Sequence, residues 1–526
     1  METEKNPAAA QAIAREASFD RKRHIFGAIM GPICALLVWL CPIAGLADNP
    51  EAHKLLAIVT FVAFWWICEP VPIPVTSLLG PTLCVIFGVV SVKDAFSAFA
   101  SPMIFLFMGG FLIAKGMMVN GLDKRIAYGI MSMKWVGDNP RRIFLAIGLA
   151  CMLCSGWISN TATAAMMFPI ALGLLEAIRE MMAANGKVID LKTYKFSTGL
   201  MLMTAYACSI GGVLTPIGTP PNLIMVGFIR DLAPAGTPQI SFFQWMIWGF
   251  AAMALYYLVT YFLLYKMFPA DVEHIDGAKE FIEDKVKGLG KWTRAQKNTL
   301  IAFIVAVVLW VTPGILSALQ NINPDLLNAD FVKAYNDHFP EAVAAMVGGL
   351  LLFLMPTNLK KGEMTLTWKQ GVTGIEWGTL LLFGGGLAIG GMVFKTGLSQ
   401  WIGESLTGAL GGQPSEILFM TLFAVTALLL SELTSNTAVA TLMGPIAIAT
   451  AVSLGFSPIP VCVAMALCTS LAFMLPVSTP PNAIVYASGF IPITKMIKAG
   501  VLLDLIGVFL ITVPLVYFLV KAIMGW

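Results

Sequence analysis

The sequence predicts an all-α polytopic membrane protein, with about eleven transmembrane helices plus two re-entrant helical hairpins arranged as two inverted-topology repeats. Three observations predict it. Of 526 residues, 58% are hydrophobic and 12% charged, and the mean hydropathy is +0.81, a composition foreign to a water-soluble domain. Apolar runs such as 25–46, 243–268, 300–311 and 501–523 recur to the C-terminus, several of them long enough to cross a hydrocarbon core of about 30 Å. Three motifs of the first half also return, in order, in the second, the signature of an internal repeat.

Taken along the chain, residues 1–24 are polar and mixed in charge and read as a cytoplasmic tail. No small-residue cleavage pattern follows the first apolar run, so the first span is expected to be retained. Residues 25–54 hold that span and an external loop. Residues 55–268 form the first repeat, with a hairpin at about 142–182 and a broken helix at about 196–230. The charged stretch 269–295, which holds Gly288 and Gly290, is a cytoplasmic linker. Residues 296–526 form the second repeat, with a hairpin at about 414–455 and a broken helix at about 458–492.

Charge placement sets the expected orientation. With the N-terminus cytoplasmic and the C-terminus periplasmic, only Lys54, Lys93, Arg230, Lys333, Lys395 and Lys521 of the 33 Lys and Arg fall outside, as the positive-inside rule requires. A net charge of +3 gives no case for a nucleic-acid partner. The nine cysteines are scattered through apolar stretches, and Cys151-x-x-Cys154 has no histidine nearby, so packing accounts for them.

The repeat carries the functional reading. Phe107-Met-Gly-Gly-Phe-Leu-Ile-Ala-Lys-Gly-Met117 matches Leu382-Phe-Gly-Gly-Gly-Leu-Ala-Ile-Gly-Gly-Met392; Ser159-Asn160-Thr161-Ala162 matches Ser435-Asn436-Thr437-Ala438; Gly218-Thr219-Pro220-Pro221-Asn222 matches Ser478-Thr479-Pro480-Pro481-Asn482. Five expected crossings separate the Ser-Asn-Thr segments, and an odd number inverts the second half. The small polar residues at 155–163 interrupt a run too long for one helix and become a hairpin tip. Ser431 and Ser435 to Thr437 form the tip of the opposite hairpin. Irregular backbone at membrane depth survives only where it lines a cavity or is buried in protein, so the two tips are expected to meet near the midplane.

The Thr-Pro-Pro segments break spanning helices, because proline lacks an N–H and clashes with the carbonyl four residues back. Each restarted half fits Thr as N-cap and Pro at the first helical position, which leaves a positive helix end suited to a carboxylate. Freed carbonyls and nearby hydroxyl and amide oxygens suit a hard cation such as sodium, with at least two positions because both halves supply oxygens. No Lys or Arg lies within the two Ser-Asn-Thr and two Thr-Pro-Pro motifs, so an anion must rely on Asn, Thr, helix ends and co-bound cations. Each ion then lowers the electrostatic cost of the other, which is coupling. A single Ser-Asn-Thr reads equally well as interhelical glue and a single Pro-Pro as a kink; two matched copies of each favour a site. Glu432 beside the second tip is either a proton site or a structural hydrogen-bonding group, and Gly156 at the matching place favours the structural role.

These motifs resemble the divalent anion/sodium symporter family (sodium-coupled dicarboxylate/tricarboxylate transporters), whose members carry two Ser-Asn-Thr motifs, each followed by a Pro-Pro-Asn break. Glu69-Pro-Val-Pro-Ile-Pro-Val-Thr76 extends the resemblance toward the N-terminus. It implies sodium-coupled symport of C4-dicarboxylates such as succinate, malate or fumarate by a homodimer in which a transport domain slides like an elevator against a scaffold. Carried over by position, the first sodium site would use Ser155, Ser159, Asn160 and Gly218, and the second Ser431, Thr434, Asn436 and Ser478. The substrate would touch Asn160, Thr161, Thr219, Asn436, Thr437 and Thr479. Thr434 and Ser478 replace the smaller residues the family pattern leads one to expect, substitutions that matter little if these positions ligate through carbonyls.

A sodium-independent dicarboxylate exchanger and a citrate or sulfate carrier share this family pattern, and a channel would use the same polar groups. An enzyme is disfavoured on chemistry: His24, His53, His274 and His338 fall in tails or loops, and no Asp or Glu pair shares a membrane segment with a nucleophile at useful spacing. Na+ is therefore the one expected cofactor, as coupling ion. The absence of an Asn-x-Ser/Thr acceptor and the short tails point to a bacterial inner membrane.

Overall fold

The computed structural model describes residues 7–184, 186–323, 328–409 and 412–524, and those residues are almost entirely helical, with one two-stranded hairpin at Pro356–Asn358 and Glu363–Met364. Nine helices among the described residues are long and apolar enough to cross a membrane, or ten if the bent pair Ala329–His338 and Glu341–Leu354 is one span. The expected eleven crossings also included interrupted ones. These fall as pairs of short helices, Lys195–Gly212 with Pro220–Leu232 and Pro458–Thr469 with Pro480–Tyr486, while Ile73–Ile86 is a short apolar helix. Residues 7–24, expected as a tail, instead begin the helix Pro7–Leu40, because their alanine, glutamine and arginine residues are strong helix formers.

Element order repeats between the halves. Helices Pro102–Val119, Leu122–Met131, the pair Pro140–Ser155 and Asn160–Ala184, and the broken pair at 195–232 are followed in the second half by Trp377–Lys395, Leu398–Ala409, Glu416–Ser431 with Asn436–Ser453, and the broken pair at 458–486. The halves also pack crosswise. Pro102–Val119 lies along Glu341–Leu354, and Trp377–Lys395 along Ile73–Ile86. Both approaches are backbone-close: a Cβ on Gly109 would strike Ala345, and one on Gly385 would strike Ser77. Small residues permit such approach where lipid supplies no hydrophobic drive between helices.

The hairpins and broken helices interlock in the same crossed way. Asn160–Ala184 packs on Pro480–Tyr486, while Asn436–Ser453 packs on Pro220–Leu232. Lys195–Gly212 is buried from Phe196 onward and Pro458–Thr469 along its whole length, so the breaks lie at the centre of the fold. By contrast, helix 7–40 exposes Ile25, Phe26, Ile29, Leu36 and Leu40 to its surroundings, as expected of a lipid-facing span. The linker forms the helix Ala278–Gly288, whose buried Ala278 and Ile282 dock it onto the first hairpin; the Ile275 N–H donates to the Asp138 carbonyl at 2.8 Å.

Candidate functional site: two hairpin tips and two helix breaks

At the first tip, helix Pro140–Ser155 ends, the chain turns through 156–159, and a new helix begins at Asn160. The Ser155 hydroxyl donates to the Asn160 side-chain oxygen at 2.7 Å, and the Ser159 hydroxyl oxygen accepts the Ala162 N–H at 3.3 Å. Opposite the turn, the break between Gly212 and Pro220 is sewn to the hairpin: the Thr215 hydroxyl donates to the Gly156 carbonyl at 2.5 Å. Gly218 sits so close that a Cβ there would lie 2.5 Å from the Gly212 carbonyl oxygen and 3.0 Å from that of Gly156, and a Cβ on Gly212 would collide with the Asn160 amide. The carbonyls of Gly156 and Gly212 thus crowd the Gly218 backbone, while the Asn160 amide, bonded to the Ser155 hydroxyl, lies against Gly212. Side-chain-free glycines make this convergence of oxygens sterically feasible.

The second tip has the same course with different bonding. Ser431 ends its helix and Asn436 begins the next. The Ser431 hydroxyl and the Asn436 side-chain oxygen are buried without a hydrogen-bond partner among the described residues. Stranded acceptors of this kind are costly unless something fills them, and a cation would. Thr434 and Ser478 behave differently: the Thr434 hydroxyl donates to Glu69 at 3.2 Å, and that of Ser478 donates to the Glu432 carboxylate and to the Glu432 carbonyl. Both hydroxyls are already committed, which leaves their backbone carbonyls as the groups free to ligate.

Glu432 is 2% exposed and accepts the N–H groups of Met474 at 2.9 Å and Leu475 at 3.2 Å as well as the Ser478 hydroxyl. Its carboxylate therefore braces the second break, the structural role that the sequence favoured.

Both breaks restart as the motifs require. Thr219 (φ −147°, ψ 142°) and Thr479 (φ −143°, ψ 147°) are extended N-cap residues with proline next, and neither side chain caps its own helix. The Thr479 hydroxyl is buried and unpartnered; the paired prolines carry no N–H, and the Asn222 N–H donates to the Thr219 carbonyl at 3.3 Å, so what each helix end offers an anion is its dipole rather than a set of free N–H groups. Thr161 is exposed and Thr437 half-buried, each one residue into the hairpin's second helix.

Two functional residues carried no assigned role in the sequence. Asn222 donates to the carbonyls of Gly212 at 3.0 Å and Thr215 at 2.8 Å. Asn482 donates to those of Ala472 at 3.2 Å and Leu475 at 3.0 Å. The acceptors stand ten and seven residues before each asparagine, so each one staples its helix break in a fixed shape. The motif offset of 260 residues applies to all three positions, and that was the signal available in the sequence.

Thr434 also ties the second tip to the N-terminal region. Glu69 adopts φ +52°, the one positive φ at a non-glycine among the described residues, and pairs with Arg23 at 3.6 Å. Arg23 donates to the carbonyl of Leu433 at 3.1 Å. A left-handed conformation costs a non-glycine roughly 1–2 kcal/mol, and here it aims Glu69 at the hairpin.

A cavity of about 220 Å³ reaches the first tip, lined among others by Lys115, Trp157, Ser159, Gly218, Pro220 and Glu376.

Comparison with known proteins agrees in family and fold. Residues 23–524 match the family described as the sodium:sulfate symporter transmembrane region. A sodium-dependent dicarboxylate transporter SdcS of Staphylococcus saprophyticus is 35% identical over 506 residues, 95% of this chain and 92% of that one. Its Staphylococcus aureus (strain bovine RF122) counterpart is 32% identical over the same shares. Among solved structures, the Alcanivorax borkumensis YdaH transporter superposes with a TM-score of 0.52 at 14% identity, covering 87% of this chain and 90% of that one, a likeness of fold.

Proposed function

This chain belongs to the sodium:sulfate symporter family of integral membrane transporters, and from that premise we propose that it couples sodium entry to uptake of a C4-dicarboxylate such as succinate, malate or fumarate. The observation that carries the reading is the pair of matched hairpin tips facing matched helix breaks, which supply oxygens and helix ends without any Lys or Arg in the motifs. The names of the Staphylococcus relatives support the substrate class and the coupling ion.

In this reading the first sodium ion is held by Ser155, Ser159, Asn160 and the backbone at Gly218, where carbonyls already converge. The second is held by Ser431, Asn436 and the carbonyls of Thr434 and Ser478, because the hydroxyls of the last two are committed elsewhere. The dicarboxylate lies between the tips, against Asn160, Thr161, Thr219, Asn436, Thr437 and Thr479, with the helix ends after Thr219 and Thr479 favouring its negative charge. Two sodium ions balance a dianion, so none of the three enters the low-dielectric site cheaply alone.

The moving body is the interlocked unit of hairpins and broken helices, sliding as an elevator against the remaining helices in a homodimer; the crossed packing of that unit supports its moving as one piece. We place the chain in a bacterial inner membrane, with the N-terminus cytoplasmic and the C-terminus periplasmic. The test is uptake of labelled succinate into proteoliposomes with sodium, potassium or choline outside, and with or without succinate inside. Saturable uptake that needs external sodium and no internal anion supports symport. Uptake that ignores sodium and needs internal dicarboxylate makes the chain an exchanger.

A further inference from the structure

The cavity at the first tip has a wall that the transport motifs do not explain. Lys115, Thr373 and Glu376 share the lining of this cavity with Ser159 and Gly218. Lys115 lies near the end of helix Pro102–Val119, and its stem runs against Gly374 so closely that a Cβ on Gly374 would meet it at 2.5 Å. Glycine at 374 therefore leaves the lysine its place. Lys115 makes no ion pair or hydrogen bond with any described residue, and the Glu376 carboxylate is engaged by Thr379 instead, at 3.2 Å. Lys115 is half-buried and lines the cavity that also reaches Ser159 and Gly218, so its positive charge lies where an anion beside the first tip would meet it.

The repeat sharpens the point. Lys115 corresponds to Gly390 in the second half, so the charge is present on one side of the pseudo-symmetric core only. The chain that follows it carries Lys124, Arg125, Lys134, Arg141 and Arg142, the basic stretch that the positive-inside rule assigns to the cytoplasm.

We propose that Lys115, together with the first hairpin tip, forms a cytoplasm-facing carboxylate site through which the dicarboxylate passes between the central site and the cytoplasm; this rests on the transport reading above. The ammonium supplies the full positive charge that the central motifs lack. Glu376, in the same wall, keeps the affinity low, so the anion is handed on rather than trapped. The site is one-sided because its counterpart position holds glycine.

The experiment is succinate counterflow in oriented vesicles, reading KM separately at the cytoplasmic and external faces for wild type, Lys115→Gln and Lys115→Arg, with thermal stability checked for each. Loss of one charge-assisted contact predicts that Lys115→Gln raises the cytoplasmic-face KM about tenfold more than the external-face KM, and that Lys115→Arg restores the wild-type ratio within about twofold. An equal change at both faces, no change, or failure of arginine to rescue in a folded protein overturns the proposal. Counterflow runs with succinate on both sides and needs no sodium gradient, so loss of sodium dependence in wild type would sink the coupling while the asymmetry between faces still decides the role of Lys115.

Discussion

The two helix breaks share a course and differ in what holds them. At the first, a hydroxyl meets a carbonyl, Thr215 to Gly156, and glycine at 218 lets backbone oxygens crowd together. At the second, one buried carboxylate, Glu432, gathers two N–H groups and a hydroxyl. The first is short of side chains; the second is bonded around a buried carboxyl group. Halves that repeat the same order of elements thus need not be braced alike, because the brace answers to local packing. The parts that stay equal across the comparison are the staple asparagines; the tip asparagines share a position but not their bonding.

The largest effects should therefore be symmetric. Asn160→Ala and Asn436→Ala each remove the one side-chain amide at their tip, and each is expected to lower succinate uptake about a hundredfold or more while the protein stays folded. Losing oxygens shared by a cation and an anion forfeits both contacts and the coupling between them. Uptake per folded molecule, normalised by size-exclusion yield, checks this. Near-normal transport by either folded variant would break the equivalence of the tips.

Those tips were legible in the sequence because they are local: a small polar segment interrupting an apolar run, followed by a proline break, twice. The membrane class and the order of elements were legible for the same reason, since hydropathy and proline act over a few residues. The braces were not. Glu432 reaches residues 42 to 46 positions away, and Glu69 meets Thr434 across 365 positions; no periodicity links such pairs. Nor could the sequence reveal that the hydroxyls of Thr434 and Ser478 are occupied, which bears on the choice between hydroxyl and carbonyl that the sequence left open. The staples Asn222 and Asn482 lay between: both belonged to quoted motifs, but their acceptors become visible only once the chain doubles back.

A middle-sized effect should separate the braces. Glu432→Ala leaves the N–H groups of Met474 and Leu475 and the Ser478 hydroxyl without their acceptor, at about 1–3 kcal/mol for each group left buried and unpaired. Thr215→Val removes one donor from a carbonyl, which costs about 1 kcal/mol. We expect Glu432→Ala to lower the thermal midpoint clearly more than Thr215→Val and to raise the sodium concentration for half-maximal uptake about tenfold. Equal losses in both readouts would mean that the carboxylate braces no more than the hydroxyl does.

The smallest effect is the sharpest test of how the second cation is held. Ser431 and Thr434 flank the same tip three residues apart, yet the Ser431 hydroxyl is buried without a partner while that of Thr434 is spent on Glu69. If sodium takes the free hydroxyl and only the carbonyl of Thr434, Ser431→Ala should raise the half-maximal sodium concentration about tenfold, whereas Thr434→Ala should change it less than about threefold. Thr434→Ala still severs a link between the hairpin tip and the strained Glu69, so what it moves should be the rate of transport rather than sodium affinity. A Thr434→Ala protein whose sodium affinity falls as far as that of Ser431→Ala would mean that the hydroxyl leaves Glu69 to meet the ion, and that the second site, like the first, is built from side chains.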